Sequence, residues 1–261
     1  MHFNGLTHDS AELLELLYQH KVLVIRRPEL TTQGFIDLAK SWGELIAFVD
    51  ESFHHPNHPE IFVVSNRKND EGKKLGMDRV GHYWHSDGSF LKRPQPISLL
   101  WCQRAALSGG ETEFLDMGKV LEEMDPQMRA QLEGSHAVHD GLGKYIISEN
   151  DLGLSIEEII RRDRQLCPPV VHPAVISHPK TGKRSLYINP GFTSALLGGD
   201  PDLLEVVIEK LISPQDSYKH NWEQGDLVIW DNRSVIHRAY PAESGEREMF
   251  RLGVRDGEFY V

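Results

Sequence analysis

Two residues of segment 81–90, His85 and Asp87, carry side chains that bind metal ions and stand two positions apart. The segment reads GHYWHSDGSF and predicts a strand, in which side chains at i and i+2 point to the same face. An imidazole and a carboxylate would then converge on one point. A third ligand must come from elsewhere, and the best candidate is His237 in the apolar, strand-like stretch SVIHRA. The sequence therefore predicts a metal site made of His85, Asp87 and His237.

Two imidazoles and one carboxylate on one side of a metal leave the opposite positions open, as in non-haem Fe(II) oxygenases. The HxD pair and His237 could each have a purely structural role, because HxD pairs and single histidines in apolar strands occur in protein cores without a metal. A zinc hydrolase that activates a metal-bound water would use the same three ligands. A non-catalytic binding domain is the third alternative.

Three arginines, Arg247, Arg251 and Arg255, are evenly spaced in the strand-like stretch EREMFRLGVR. Even spacing puts them on one face of the strand, while the opposite face is largely apolar. The row could be a solvated surface. If it points inward instead, each guanidinium requires an anion, and a carboxylate held through two hydrogen bonds is the usual partner. A keto-acid cosubstrate beside an open metal site would need such an arginine.

The elements that position these residues are mostly short strands, with helices between them. Capping-box spacing from Asp9 to Glu12 predicts a first helix, and a second begins at Thr31 or Thr32, carries Trp42 and stops at Gly43. Further helices are predicted at 117–132, 155–164 and 201–211. Strands are predicted at 21–27 and 61–65 and in the stretches HYWHSD, ISLLWCQ, TEFLD, PVVHPAVISH, SLYIN, DLVIWD, SVIHRA and FRLGVR.

Many short strands with a few peripheral helices predict a mainly β fold, either a sandwich or a barrel. We find no repeat or linker that would divide the chain, so we expect a single domain over residues 1–261. The loop 66–80 is rich in Gly, Asp, Asn and Lys. It is predicted to be a solvated loop, although a loop before a catalytic segment can also serve as a lid.

Composition limits the partners of the 261-residue chain. It has 39 acidic and 28 basic side chains and a net charge of −11, which disfavours nucleic acid and anionic membranes. We see no secretory signal and no membrane-spanning stretch. The 2 cysteines form no CxxC pair, which fits a reducing, cytoplasmic compartment. We therefore expect a cytoplasmic protein with a small-molecule ligand, and the sequence leaves open whether it forms a homo-oligomer.

Taken together, several ordered segments resemble the TauD/TfdA-type group, the taurine dioxygenase-like Fe(II)- and 2-oxoglutarate-dependent dioxygenases. The resemblance spans nearly the whole chain. The segments that carry it are WGEL, WHSD, GGETEFLDM, HPKTGKRSLYINPGFT, WDNRSVIHRA and REMFR. It implies a double-stranded β-helix (jelly-roll) core and an enzyme that uses Fe(II), 2-oxoglutarate and O2. Such an enzyme oxidises a C–H bond of its substrate and releases succinate and CO2.

The resemblance also implies roles for individual residues. His85, Asp87 and His237 match the iron ligands, whereas Arg247 and Thr112 match the residues that hold the distal carboxylate of 2-oxoglutarate. Arg251 matches the arginine that receives the acidic group of the substrate, which implies a small carboxylate or sulfonate. His82 and Tyr83 flank the iron motif, and we expect them to line the substrate pocket, with simple packing as the alternative.

Other positions narrow the expected reaction. Related halogenases replace the carboxylate ligand by a small residue, and this chain keeps Asp87, so hydroxylation, desaturation or cleavage through hydroxylation is favoured. Gly81 stands where the taurine enzymes carry an asparagine, and the region after His139 differs from theirs, which argues against taurine as the substrate. We expect segments 66–80 and 140–152 to contribute to specificity.

Overall fold

The computed structural model describes residues 1–48, 51–144, 151–214 and 216–261. Strands dominate this part of the chain, as the sequence predicts. Their bounds are β1 (His2–Asn4), β2 (Val22–Arg26), β3 (Glu44–Ile46), β4 (His54–His55), β5 (His58–Ser65), β6 (Ile97–Arg104), β7 (Ser108–Gly109), β8 (Thr112–Asp116), β9 (His136–His139), β10 (Val170–Pro173), β11 (Val175–Ser177), β12 (Arg184–Leu186), β13 (Thr193–Leu197), β14 (Tyr218–His220), β15 (Leu227–Asp231), β16 (Val235–Ala239), β17 (Ala242–Ser244) and β18 (Glu248–Arg255).

Six α-helices lie within the described ranges, each begun by a local signal. They are α1 (Ser10–His20), α2 (Thr32–Lys40), α3 (Met117–Glu122), α4 (Pro126–Glu133), α5 (Ile156–Leu166) and α6 (Asp202–Ile212). Asp9 caps α1 through the predicted capping box, and Ser155 caps α5 in the same way. None of these helices has both the length and the apolar character needed to cross a membrane.

One large sheet of eight strands forms the frame of the molecule. Its order is β1-β2-β15-β6-β18-β5-β4, with β3 paired to the end of β18. All its pairs are antiparallel except β1 with β2. A smaller antiparallel sheet has the order β14-β8-β16, and three further small sheets complete the β structure.

Both faces of the large sheet are buried, so its central strands alternate between two apolar cores. In β15, Leu227 and Ile229 pack with α1 and α2, whereas Val228 and Trp230 face Phe114 and its neighbours in the smaller sheet. In β18, Phe250, Leu252 and Val254 belong to the helix-side core. The odd-numbered residues of β18, which include Arg251, therefore face the interior between the two sheets.

Three sequence predictions about elements are wrong in detail. The segment HYWHSD is not a strand: within it only His85 makes a bridge, and Asp87 lies in a turn that leads to Gly88 with φ of +63°. The helix predicted at 117–132 is two helices, because Asp125 caps a new one that begins at Pro126. Helix α2 ends at Lys40, before Trp42 and Gly43.

Candidate metal centre

The two candidate histidines are brought together by main-chain pairing. His237 lies in β16, and His85 forms an isolated antiparallel bridge to it. The N–H of His85 donates to the carbonyl of His237 at 2.9 Å, and the reverse bond is 2.8 Å. The two rings consequently stand 4.2 Å apart between centroids. A pairing across about 150 residues of chain thus sets the positions of both imidazoles.

Asp87 reaches the same point through a turn rather than a strand. Its Oδ1 lies 3.5 Å from Nε2 of His85, and its Oδ2 lies 3.8 Å from Nε2 of His237. The ligand atoms of the three side chains are all within 4.8 Å of one another, and all three residues are buried. No second cluster of this kind occurs among residues 1–48, 51–144, 151–214 and 216–261.

The protonation states suit a divalent cation. Burial opposes ionisation of Asp87, but Arg251 and the two imidazoles hold the pKa of its carboxyl well below its usual value. Burial, together with the neighbouring His85, lowers the pKa of His237 well below its usual value, which keeps the ring neutral. Nδ1 of His85 lies 2.8 Å from the carbonyl of Tyr83, so its Nε2 faces the cluster. Two imidazoles and one carboxylate fit iron(II).

Arg247 lies just before β18 and lines a cavity of about 490 Å³. Its Nε atom is buried and has no hydrogen-bond partner among the described residues. Burial lowers the pKa of the guanidinium to about 10, which still leaves it charged at neutral pH. A half-buried guanidinium with a buried Nε, and with no ion pair among the described residues, is suited to bind a carboxylate at the wall of a cavity.

Thr112 begins β8 and is buried, directly opposite Ala239 in the ladder. Ala239 lines the same cavity as Arg247. The indole N–H of Trp222 donates to the hydroxyl oxygen of Thr112 at 3.1 Å. This bond occupies an acceptor site of Thr112 and leaves its own proton available to another acceptor.

Arg251 lies at the metal cluster itself. Its Nη2 contacts Oδ1 of Asp87 at 2.5 Å. Arg251 therefore points into the interior, as one of the two interpretations of the arginine row predicted, and it is not part of a solvated surface. Arg255, at the far end of β18, contacts Glu44 at 3.5 Å instead.

The two predicted pocket residues lie in different surroundings. His82 is exposed and lines the cavity that contains Arg247. The ring of Tyr83 is half-buried, 5.2 Å from His85, and the Nζ of Lys144 lies 5.0 Å from its centroid. Loop 66–80 contributes Asn66, Asp78, Arg79 and Val80 to the wall of the Arg247 cavity. In the other predicted specificity segment, 140–152, residues 145–150 lie outside the described residues.

Polar residues behind Asp87 were missed by the sequence prediction. Ser98, Gln95 and Asn232 are buried and form a connected set of hydrogen bonds that ends on Asp87. A signal was present at Ser98, because a single hydroxyl interrupts the apolar run ISLLW of β6. Asn232 lies in the quoted segment WDNR, but its contact with the turn at Asp87 depends on the tertiary fold.

Comparison with known proteins identifies the family of the chain. The family model described as "Taurine catabolism dioxygenase TauD, TfdA family" matches residues 3–252. The chain belongs to this family and is a 2-oxoglutarate-dependent dioxygenase, in a family that uses Fe(II), 2-oxoglutarate and O2.

Individual relatives cover most of the chain. Pentalenolactone F synthase of Streptomyces arenae is 32% identical over 92% of this chain and 84% of its own length. The alpha-ketoglutarate-dependent 2,4-dichlorophenoxyacetate dioxygenase of a Burkholderia species is 31% identical over 84% of this chain and 76% of its own length. The solved structure of AAD-2 in complex with Mn(II) and N-oxalylglycine superposes with a TM-score of 0.77 at 26% identity, over 98% of this chain and 93% of that one.

Proposed function

We propose that His85, Asp87 and His237 hold the iron, that Arg247 and Thr112 bind 2-oxoglutarate, and that the enzyme oxidises a small anionic substrate. The strongest support is the combination of a buried cluster of two histidines and one carboxylate with the half-buried Arg247 at a neighbouring cavity, whose buried Nε has no hydrogen-bond partner among the described residues. The bound iron and 2-oxoglutarate supply the O2-dependent chemistry, in which the cosubstrate leaves as succinate and CO2.

The residues around the iron would supply binding and orientation. Arg247 pairs with the distal carboxylate of 2-oxoglutarate, and the hydroxyl of Thr112 donates a second hydrogen bond to it. Arg251 and the face of Tyr83 stand beside the three ligands and bind the substrate, with the guanidinium taking its anionic group. Because Asp87 is retained as a ligand, the proposed outcome is hydroxylation, or a desaturation or cleavage that begins with it.

A carboxylate is the favoured anionic group of the substrate. Two relatives are enzymes for 2,4-dichlorophenoxyacetate and (S)-phenoxypropionate, both carboxylates. His82, by contrast, lines the Arg247 cavity, so we propose that it borders the entrance shared by cosubstrate and substrate. Membership of a dioxygenase family favours this function over the zinc hydrolase and the non-catalytic domain that the sequence alone left open.

The same proposal includes the wider architecture. The large sheet and the β14-β8-β16 sheet enclose one apolar core, which supports a double-stranded β-helix (jelly-roll). We further propose a single domain over residues 1–261 and a cytoplasmic enzyme, either monomeric or a homo-oligomer.

Anaerobic addition of Fe(II) and 2-oxoglutarate tests the proposed function. We expect a weak visible charge-transfer band, followed in air by succinate release that is stimulated by the correct substrate. A screen of carboxylates and sulfonates, with mass analysis of the product, identifies that substrate. Asp87→Ala is the control and should give neither band nor succinate. Absence of both signals in the wild-type protein would overturn the proposal.

A further inference from the structure

A chain of buried polar groups runs behind Asp87 and ends on its carboxylate. Ser98 lies in β6 and is fully buried, and its Oγ stands 2.5 Å from Oδ2 of Asp87. Its neighbours Ile97 and Leu99 point into the helix-side core. The side chain of Ser98 therefore points to the opposite face of β6, towards the interior between the two sheets. A buried hydroxyl in an apolar strand requires partners, and its partners here determine where its proton goes.

The orientation of Asn232 is determined by two groups that can only donate. The indole N–H of Trp230 lies 3.0 Å from Oδ1 of Asn232, and the backbone N–H of Asp87 lies 3.2 Å from the same atom. Since neither group can accept, that atom is the carbonyl oxygen of the amide. The Nδ2 of Asn232 therefore faces Ser98, to which it donates at 2.8 Å.

Ser98 receives a second donor from Gln95, whose Nε2 lies 2.5 Å from the hydroxyl oxygen. A serine hydroxyl has two lone pairs and one proton. The ionised carboxylate of Asp87 can only accept, so the proton of Ser98 is directed at Oδ2, and both amides then donate to the two lone pairs of Ser98. The direction of donation is thus determined at each step from Trp230 to Asp87.

We propose that Ser98 is a positioning residue for the iron ligand Asp87. It engages Oδ2, so that Asp87 binds the metal through Oδ1, the oxygen 3.5 Å from Nε2 of His85. Oδ1 also contacts Arg251, and its two lone pairs suffice for both partners. Single-oxygen binding keeps coordination positions free for 2-oxoglutarate and O2. This inference rests on the proposed function, because it needs the metal at His85, Asp87 and His237.

Metal binding by Ser98→Ala tests the inference, with Ser89→Ala as the matched control. Ser89 is an equally buried serine whose hydroxyl accepts from the amide of Asn189, and among the described residues no hydrogen bond joins its side chain to Asp87. We expect the Kd for Mn(II) to rise at least about tenfold in Ser98→Ala, since partners of metal ligands typically contribute tenfold to a hundredfold. It should stay within about twofold of wild type in Ser89→Ala.

The visible spectrum of bound Co(II) gives a second readout, because it reports the number and arrangement of ligands. Release of Oδ2 in Ser98→Ala should change this spectrum, whereas Ser89→Ala should leave it unchanged. Equal Mn(II) affinity and an unchanged Co(II) spectrum in folded Ser98→Ala would overturn the role of Ser98. Failure of the wild-type protein to bind either metal would instead overturn the proposed function.

Asn232→Asp keeps the test decisive if Ser98→Ala does not fold. This substitution replaces the donor to Ser98 by an acceptor, which competes with Asp87 for the hydroxyl proton. If Ser98 positions Asp87, Asn232→Asp should weaken Mn(II) binding, although the added negative charge alone would strengthen it. Tighter binding by Asn232→Asp would contradict the inference.

Discussion

Gly81 lies directly against the imidazole of His85. A Cβ placed on Gly81 would stand 2.7 Å from Cε1 and 3.2 Å from Nε2 of that ring, and the backbone of Gly81 has φ of +70°. Both the space and the conformation therefore require glycine. Since Nε2 is the ligand atom that faces the cluster, the lack of a side chain at position 81 helps to determine where His85 stands.

Gly81→Ala is predicted to displace the ring of His85 and weaken metal binding at least about tenfold. Gly72→Ala is the matched control: Gly72 also has positive φ, at +81°, but nothing lies within 4 Å of its added Cβ. Both variants bear the cost of a left-handed alanine, about 1 kcal/mol, and only Gly81→Ala should lose Mn(II) affinity. Unchanged affinity in Gly81→Ala would contradict the role of this contact.

Arg247 and Arg251 are predicted to serve different ligands. Arg247→Gln should raise the Kd of 2-oxoglutarate at least about thirtyfold, because loss of a buried charge partner costs about 2 kcal/mol or more. The charge-transfer titration measures this Kd. Arg251→Gln should raise the KM of the substrate found by the succinate screen, and because Arg251 also contacts Oδ1 of Asp87, metal binding should weaken as well.

Arg255→Gln is the control for both substitutions, since Arg255 stands on the same strand face but contacts Glu44 instead. It should change neither constant by more than about twofold. If Arg251→Gln left the KM of the substrate unchanged, the substrate half of the assignment would fail.

Trp222 is predicted to support cosubstrate binding through Thr112. Trp222→Phe removes the N–H that donates to the hydroxyl oxygen of Thr112. Without this donor, the orientation of the threonine hydroxyl towards 2-oxoglutarate is less well fixed. We expect the Kd of 2-oxoglutarate to rise about fivefold, equivalent to about 1 kcal/mol. Trp42→Phe loses a comparable bond, to the carbonyl of Ser10 at 2.6 Å, and should lower only the free energy of unfolding. Equal Kd values in the two variants would exclude this role of Trp222.

Asp231 is predicted to make stability depend on pH. Burial opposes its ionisation, but Arg233 and His178 bring the pKa of its carboxyl down to about 2. Nε of Arg233 lies 2.8 Å from one oxygen and Nε2 of His178 lies 2.7 Å from the other. Because the folded pKa is lower than the unfolded one, the stabilisation is complete above about pH 4 and is lost as pH falls towards 2.

Asp231→Asn should therefore lower the free energy of unfolding at pH 7 by about 2 kcal/mol or more, with a smaller difference from wild type at pH 2–3. Urea unfolding at several pH values measures this difference. Asp70→Asn, at an exposed loop position, should show no such dependence. A difference between Asp231→Asn and wild type that is constant from pH 7 to pH 2 would refute the assignment.

Much of the fold was predictable because its signals are local. The capping pair from Asp9 to Glu12 involves residues three positions apart and begins α1 as expected, and the helix predicted at 155–164 is α5, which Ser155 caps through the same local spacing. The apolar runs of β6 and β15 are strands with two buried faces, which a short continuous apolar run indicates. The exceptions are weak strands such as β1 and β9, which depend on neighbours that are distant in sequence.

The residue types of the metal cluster were also evident in the sequence. His85, Asp87, His237 and the inward-facing Arg251 come together as predicted, but the predicted reason for the pairing of His85 with Asp87 was wrong. Alternation suggested a strand, whereas His85 makes one bridge and the chain then turns through Gly88. A strand forms hydrogen bonds to a neighbouring strand along its length. His85 makes only the two bonds of a single bridge to His237 in β16, so the segment HYWHSD does not form a strand.

The sequence by itself thus determined many of the local elements and pointed to the residue types that meet in the cluster, because local elements depend on short-range spacing and candidate ligands on residue type. Only the tertiary structure decided how the ligands are held. The contact of Gly81 with His85, the unpaired Nε of Arg247 and the proton of Ser98 directed at Asp87 each depend on atoms from separate elements meeting within about 3 Å. No periodicity encodes such distances, since they arise when distant segments pack into one core.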